Sequence, residues 1–245
     1  FAGWPASVSG LTVHRFCSSS IDAIALAALK VAAGQTEVIV AGGVEMMSRV
    51  PMLSDAARVF SDPAYAVRHQ MLLMGSGADL IATRIGASRE DCDAVALQSQ
   101  QRAALAQQEG RFQSIIPIET PEGMISKDEC IRADMTAERL ARLTAAFAEL
   151  GAAGADQVQL AKFPELTAIE HVHTMGNSPA MCDAGALVLL GDEALGKSLG
   201  MAPKARLVMS ATASGEPLEV VSGCVTVTEA LLDDQNLRAQ DIDLF

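Results

Sequence analysis

Val13-His14-Arg15-Phe16-Cys17-Ser18-Ser19-Ser20-Ile21 is the stretch from which the rest of the chain reads outward. Three serines follow the cysteine, and Ile21, Ile24, Ala25, Ala28, Leu29 and Ala32 then recur at the spacing of one helix face. The serines fall where a first helical turn begins, and Gly34 stands where the helix can end. Cys17 is therefore expected at a helix N-terminus, where unpaired backbone N–H groups carry partial positive charge. A thiol there ionises more readily, and the thiolate is the form that attacks carbon. The same residue also reads as a small buried cysteine under a helix, the commoner fate of this side chain. Three hydroxylic neighbours suit a tight turn near a polar ligand better than a core. Beyond the helix, Thr36-Glu37-Val38-Ile39-Val40-Ala41-Gly42-Gly43 reads as a buried strand running into two glycines.

Cys17-Ser18-Ser19-Ser20 with its helix, followed by Ala41-Gly42-Gly43-Val44-Glu45-Met46-Met47-Ser48, resembles the acyl-transfer site of the thiolase family. On that resemblance the first cluster holds the nucleophilic cysteine, and the second is the family's Gly-Gly-x-Glu-x-Met-Ser segment. His14 departs from the pattern, standing where the family usually has asparagine. As a substitute base His14 competes poorly, because such pairs are built by spatial rather than sequential adjacency.

Half of the 245 residues are hydrophobic and 4% are aromatic, enough for a sizeable core in one or two domains. Aliphatic volume of this kind suits helices packed on buried strands, an α/β class. The formal net charge of −12 argues against nucleic acid and against an anionic membrane surface. No run reaches transmembrane length, and Phe1-Ala2-Gly3-Trp4-Pro5 does not read as a secretory signal. Five scattered cysteines (17, 92, 130, 182 and 224) without a C-x-x-C pair point to a reducing cytoplasm. No metal is expected. His171 and His173 stand two apart without a further ligand at a familiar spacing, and read as neutral histidines near a ligand loop.

Local signals organise the rest. Ser9 to Arg15 is expected as a strand, and Gln70 to Ile85 as a helix interrupted near Gly75 and Gly77. Ser88-Arg89-Glu90-Asp91 fits a capping box opening a long helix that ends near Gly110. Ile115-Ile116-Pro117-Ile118 reads as a short strand. Thr136 to Leu150 reads as a helix with Leu140, Leu143, Phe147 and Leu150 on one face, broken by Gly151 to Gly154. Gly185 to Leu190 and Ala205 to Met209 are apolar runs of the kind found in strands covered on both faces. Val225 to Leu232 is the next expected helix.

The resemblance runs on through Met74-Gly75, Gly110-Arg111-Phe112, Asp128-Glu129-Cys130-Ile131-Arg132, Ala146-Phe147, Gly176-Asn177-Ser178 and Asp183. It implies a thiolase fold, layered α/β with mixed sheets, represented here by its middle. Residues 1–48 would be part of the N-terminal half, and 49–182 an inserted loop domain for CoA and acyl binding. Residues 183–202 would return to that half, and 203–245 would begin the C-terminal half. Met74 would line the acyl pocket, Arg132 would face the nucleotide end of CoA with Phe147 nearby, and Ser178 would touch the pantetheine. Read without the resemblance, Arg132 is equally a solvated surface arginine and Phe147 a helix-face core residue. Pro179 and the Ala184-Gly185 order depart from the family pattern.

The implied activity is acyl transfer between 3-oxoacyl-CoA and CoA through a Cys17 acyl-enzyme, or the reverse condensation. CoA is then a substrate, no further cofactor is implied, and family members form homodimers or homotetramers. The family's Glu-x-Asn-Glu-Ala, Gly-His-Pro and Cys-x-Gly segments, which supply its other catalytic groups, lie beyond the matched stretch. Two rival readings stand beside this one. The first is a non-catalytic CoA-binding or structural fragment. The second is a ketoacyl synthase, whose pattern lacks the Gly-Gly-x-Glu-x-Met-Ser loop.

Overall fold

The computed structural model describes residues 3–245. Phe1 and Ala2, which open the stretch read as no secretory signal, lie outside the described residues. In chain order the elements begin with α1 (Ser19–Ala32), β1 (Val38–Glu45), α2 (Arg58–Ser61), α3 (Pro63–Arg68), α4 (Met74–Ile85) and α5 (Arg89–Gln108). Next come β2 (Ile118–Thr120), β3 (Gly123–Ile125), α6 (Ala137–Ala141), α7 (Ala148–Leu150) and α8 (Asp156–Lys162). The last are β4 (Ala184–Gly191), α9 (Glu193–Ser198) and α10 (Gly223–Asp234). Contacts divide the chain into two compact units. One comprises the described residues through Met52 with Cys182–Ala211, the other Leu53–Met181 with Thr212–Phe245.

In the first unit β1 pairs antiparallel with β4, from Val38 opposite Gly191 to Glu45 opposite Ala184, and α1 packs on the pair. Ala27 of α1 and Ala41 of β1 are buried. Helix α1 ends as its sequence suggests. The Gln35 N–H reaches the Lys30 carbonyl at 3.0 Å and the Gly34 N–H reaches Val31 at 3.0 Å, with Gly34 at φ +66°. This crossed pattern satisfies carbonyls the helix cannot.

Two strand expectations fail here, and a third holds only in part. Residues 9–14 and 205–209 form no strand, because a strand needs a neighbour for its backbone groups. Among the described residues β1 and β4 pair only with each other. Strand β4 forms, but it is not covered on both faces: Leu187 is 72% exposed.

The second unit is built on α4. Leu80 and Leu218 are fully buried beside the buried Ile169, and Leu72, Val158, Leu160, Phe163 and Leu166 pack around them. Contrary to expectation α4 runs unbroken through Gly75 and Gly77, which serve close packing instead. A Cβ on Gly75 would fall 2.1 Å from the Phe147 ring, and one on Gly77 would fall 2.3 Å from the Glu219 carbonyl oxygen. The capping box of α5 forms. The Asp91 N–H donates to Ser88 Oγ at 3.1 Å, and Asp91 Oδ2 accepts the Ser88 N–H at 2.9 Å.

The expected strand at 115–118 begins only at Ile118, as half of the β2–β3 hairpin. The expected helix from Thr136 to Leu150 stops at Ala141 and resumes at Ala148. Its backbone groups are engaged elsewhere: Arg89 Nη2 donates to the carbonyls of Leu140 (2.6 Å) and Leu143 (3.0 Å). The Ala146 N–H donates to the His173 carbonyl at 2.9 Å. The break expected at Gly151 to Gly154 is present: Gly154, at φ +126°, is non-helical and kinks the turn over Gly151–Ala155 ahead of α8.

Candidate functional site

Cys17 stands one residue ahead of Ser18, the cap of α1, and its side chain is exposed rather than buried beneath the helix. The turn that presents it is tightly made. Phe16 adopts φ +47°, a left-handed conformation that costs a non-glycine residue about 1 kcal/mol. The Ser18 N–H donates to the Arg15 carbonyl at 3.0 Å, and the Ser19 N–H to the Phe16 carbonyl at 3.1 Å. Ser19 Oγ accepts the Arg15 N–H at 2.8 Å and donates to the Phe16 carbonyl at 2.7 Å. Arg15 is anchored in turn to Asp22 of α1, with Nη2 and Oδ1 2.5 Å apart. One of the three serines thus holds the turn. His14 faces Phe16 edge-on, ring centroids 5.2 Å apart.

Beneath this turn, the two glycines of β1 allow close approach. A Cβ on Gly43 would lie 2.1 Å from Ser20 Oγ in the first turn of α1. One on Gly42 would lie 2.0 Å from the Ala186 carbonyl oxygen of β4. The Gly-Gly pair therefore sets how near the Cys17 helix and β4 sit to the strand.

The other candidates belong to the second unit. Met74 is the first residue of α4 and is 54% exposed. Phe147, half-buried ahead of α7, lays its ring against Gly75 and so stands beside Met74. Ser178 is half-buried at the end of the 171–178 segment, which is joined to Phe147 through the Ala146–His173 hydrogen bond. Arg132 is exposed, and its backbone N–H is held by Gln100 Oε1 of α5 at 2.7 Å. The structure thus brings Met74, Phe147 and the 171–178 segment together, and fastens Arg132 to α5.

Sequence reasoning passed over the group at the centre of this arrangement. Asp79, fully buried in α4, accepts the Val172 and His173 N–H groups at Oδ1 (3.2 and 3.1 Å) and meets His173 Nδ1 there at 2.6 Å. Its Oδ2 lies 2.9 Å from His171 Nδ1, and His171 Nε2 lies 3.2 Å from Asp156 Oδ2 of α8. Burial pushes the Asp79 carboxyl up, but hydrogen bonds from His173 and His171 outweigh it and the pKa is lowered. Burial likewise pulls His171 down, while its bonds to Asp79 and Asp156 leave its pKa raised. Sequence reasoning expected histidines near a ligand loop; it did not anticipate that both ring nitrogens of His171 face carboxylates. The signal that could have found Asp79 is a carboxylate within Gly77-Ala78-Asp79-Leu80-Ile81, since a charge in an apolar helix needs a partner. Among the described residues no group of three or more His, Cys, Asp or Glu side chains is arranged to hold a metal ion. None of their helices is long and apolar enough to cross a membrane.

Comparison with known proteins gives this arrangement its context. The family described as "Thiolase, N-terminal domain" matches residues 1–159. The 3-ketoacyl-CoA thiolase of Bacillus subtilis is 34% identical, the match covering 100% of this chain and 61% of that protein. The 3-oxoadipyl-CoA/3-oxo-5,6-dehydrosuberyl-CoA thiolase of Escherichia coli is 33% identical over 99% of this chain and 61% of its own length. The crystal structure of human mitochondrial 3-ketoacyl-CoA thiolase superposes with a TM-score of 0.79 at 26% identity, covering 99% of this chain and 60% of that one. The chain thus spans about 61% of the length of the curated relatives it matches.

Proposed function

The chain belongs to the thiolase family, and from that premise we propose that it works in thiolase-type acyl transfer. The reaction is cleavage of a 3-oxoacyl-CoA by CoA to acetyl-CoA and a shortened acyl-CoA, or the reverse condensation. The observation that carries the reading is the exposed Cys17, held in a strained turn immediately ahead of α1. The names of the relatives support it, since those proteins are called 3-ketoacyl-CoA thiolase and acetyl-CoA acetyltransferase.

In this reading the Cys17 thiolate attacks the 3-keto carbon, and charge grows on the keto oxygen. The bond between the second and third carbons then breaks, leaving the acyl group on sulfur as a thioester and releasing the acetyl-CoA enolate, which takes a proton. A second CoA thiol collects the acyl group and frees Cys17. Met74 lines the acyl pocket, Ser178 contacts the pantetheine, and Arg132 faces the nucleotide end of CoA with Phe147 nearby. The activating and protonating groups belong to the family's Gly-His-Pro and Cys-x-Gly segments. CoA serves as substrate and no further cofactor takes part.

Residues 49–182 are assigned to the inserted loop domain on the same reading, with 1–48 and 183–202 in the N-terminal half and 203–245 opening the C-terminal one. None of the five cysteines is in a disulfide, which supports a reducing, cytoplasmic setting. Degradation of fatty or related acids is the fitting role, carried out by a homodimer or homotetramer. The test is Cys17→Ser, which abolishes turnover of 3-oxoacyl-CoA while leaving CoA affinity largely unchanged. Undiminished turnover in that variant removes Cys17 as the nucleophile.

A further inference from the structure

Both ring nitrogens of His171 face carboxylates, Nδ1 toward Asp79 at 2.9 Å and Nε2 toward Asp156 at 3.2 Å. A neutral imidazole has one N–H and can satisfy only one of them; the imidazolium donates to both. The segment that carries this ring is fixed along its length. The Thr174 N–H donates to Asn177 Oδ1 at 2.7 Å, and Asn177 Nδ2 donates to Asp93 Oδ1 at 2.8 Å and to the Val172 carbonyl at 3.1 Å. Thr174 is fully buried and accepts the Gly176 N–H at 3.1 Å. The His173 carbonyl, in turn, holds Ala146 beside Phe147.

We propose that Asp79, His171 and His173 form a proton-linked clamp that positions Ser178 and Phe147, so that affinity for CoA depends on protonation of His171. The clamp rests on the assignment of those two residues to CoA. Its three members are positioning residues, since none is placed against the substrate. The groups facing His171 are Asp79 from α4 and Asp156 from α8, and His173 of its own segment shares the Asp79 carboxylate. Gly151 packs against the ring edge without a charge, and Cys92 of α5 senses Asp79 from further off. With the His171 pKa raised, the imidazolium is present below that value and is lost as pH rises through it. CoA therefore binds more tightly on the acid side.

The test is CoA affinity by calorimetry between about pH 6 and pH 8.5, spanning the histidine range, with His171 followed by NMR in the same samples. The unmodified protein should lose at least about fivefold in affinity, the low end of typical coupling between sites, as His171 deprotonates. His171→Gln should show no such step, and Asp156→Asn should move its midpoint to lower pH. Titration of the CoA phosphate is common to all three proteins and cancels in the comparison. Affinity that ignores the His171 titration, or a step that survives His171→Gln, overturns the clamp. If CoA binds at no pH, the CoA assignment is what fails. The clamp is then judged by the backbone amides of Ala146 and residues 172–178, and shifts there that do not follow His171 overturn it.

Discussion

Asp183 accepts the backbone N–H of Ser48 at 2.9 Å and the Ser48 hydroxyl as well, closing a loop between residues 135 positions apart. Ser48 lies just beyond β1 and Asp183 just before β4, so this pair sets where the strands begin to run together. It also fixes the end of the Gly-Gly-Val-Glu-Met-Met-Ser segment on the sheet that supports the Cys17 helix.

Hydrogen bonds from the Ser48 hydroxyl and N–H hold the Asp183 carboxyl below the usual carboxylate range. A depressed carboxyl pKa contributes stability above the unfolded value, about 3.9 for aspartate, and loses it as pH falls through the folded one. Asp183→Asn should therefore speed hydrogen exchange of the β1 and β4 amides at neutral pH, with the gap from the unmodified protein narrowing in acid. Equal exchange at neutral pH would assign the pair no structural weight.

Gly42 and Gly43 are adjacent but should respond differently to alanine. The added Cβ at Gly42 meets a backbone carbonyl oxygen, that of Ala186, which cannot move without shifting β4. At Gly43 it meets Ser20 Oγ, which can rotate away. Gly42→Ala should cost about 3 kcal/mol, at the upper end for overpacking, and Gly43→Ala under about 1 kcal/mol. Urea denaturation of the two variants checks the order.

How much of this was legible beforehand follows from how local each cause is. The start and end of α1 were readable because Ser18, Gly34 and the apolar stripe lie within the helix or beside it. The α5 capping box was readable for the same reason. The break after Ala141 was not, because Arg89, which takes the Leu140 carbonyl, lies 51 residues earlier. Ala205 to Met209 has the composition of a strand, but pairing is a property of neighbours that composition does not carry. Cys17 in the first unit and Met74, Arg132, Phe147 and Ser178 in the second are candidates through motif likeness. Asp79 is not, since its histidine partners lie 92 and 94 residues away and only burial makes their meeting consequential.

Arg132 is held at its backbone by Gln100 and has its guanidinium exposed. On the proposed function that charge meets CoA phosphate. Arg132→Ala should weaken CoA binding by about tenfold or more, as for loss of one charge-assisted hydrogen bond. The loss should shrink as salt is raised, because the contact is exposed and screened. Equilibrium dialysis at low and high salt measures both, and unchanged affinity at low salt would place the phosphates elsewhere.

The central claim is that the sulfur of Cys17 becomes esterified in each turnover, and peptide mass spectrometry of the protein quenched during reaction with a 3-oxoacyl-CoA tests it most directly. The account predicts an acyl thioester on the peptide carrying Cys17, of the mass of the shortened acyl group. An adduct on Cys92, Cys130, Cys182 or Cys224 instead, or turnover with no adduct on any cysteine, would contradict it.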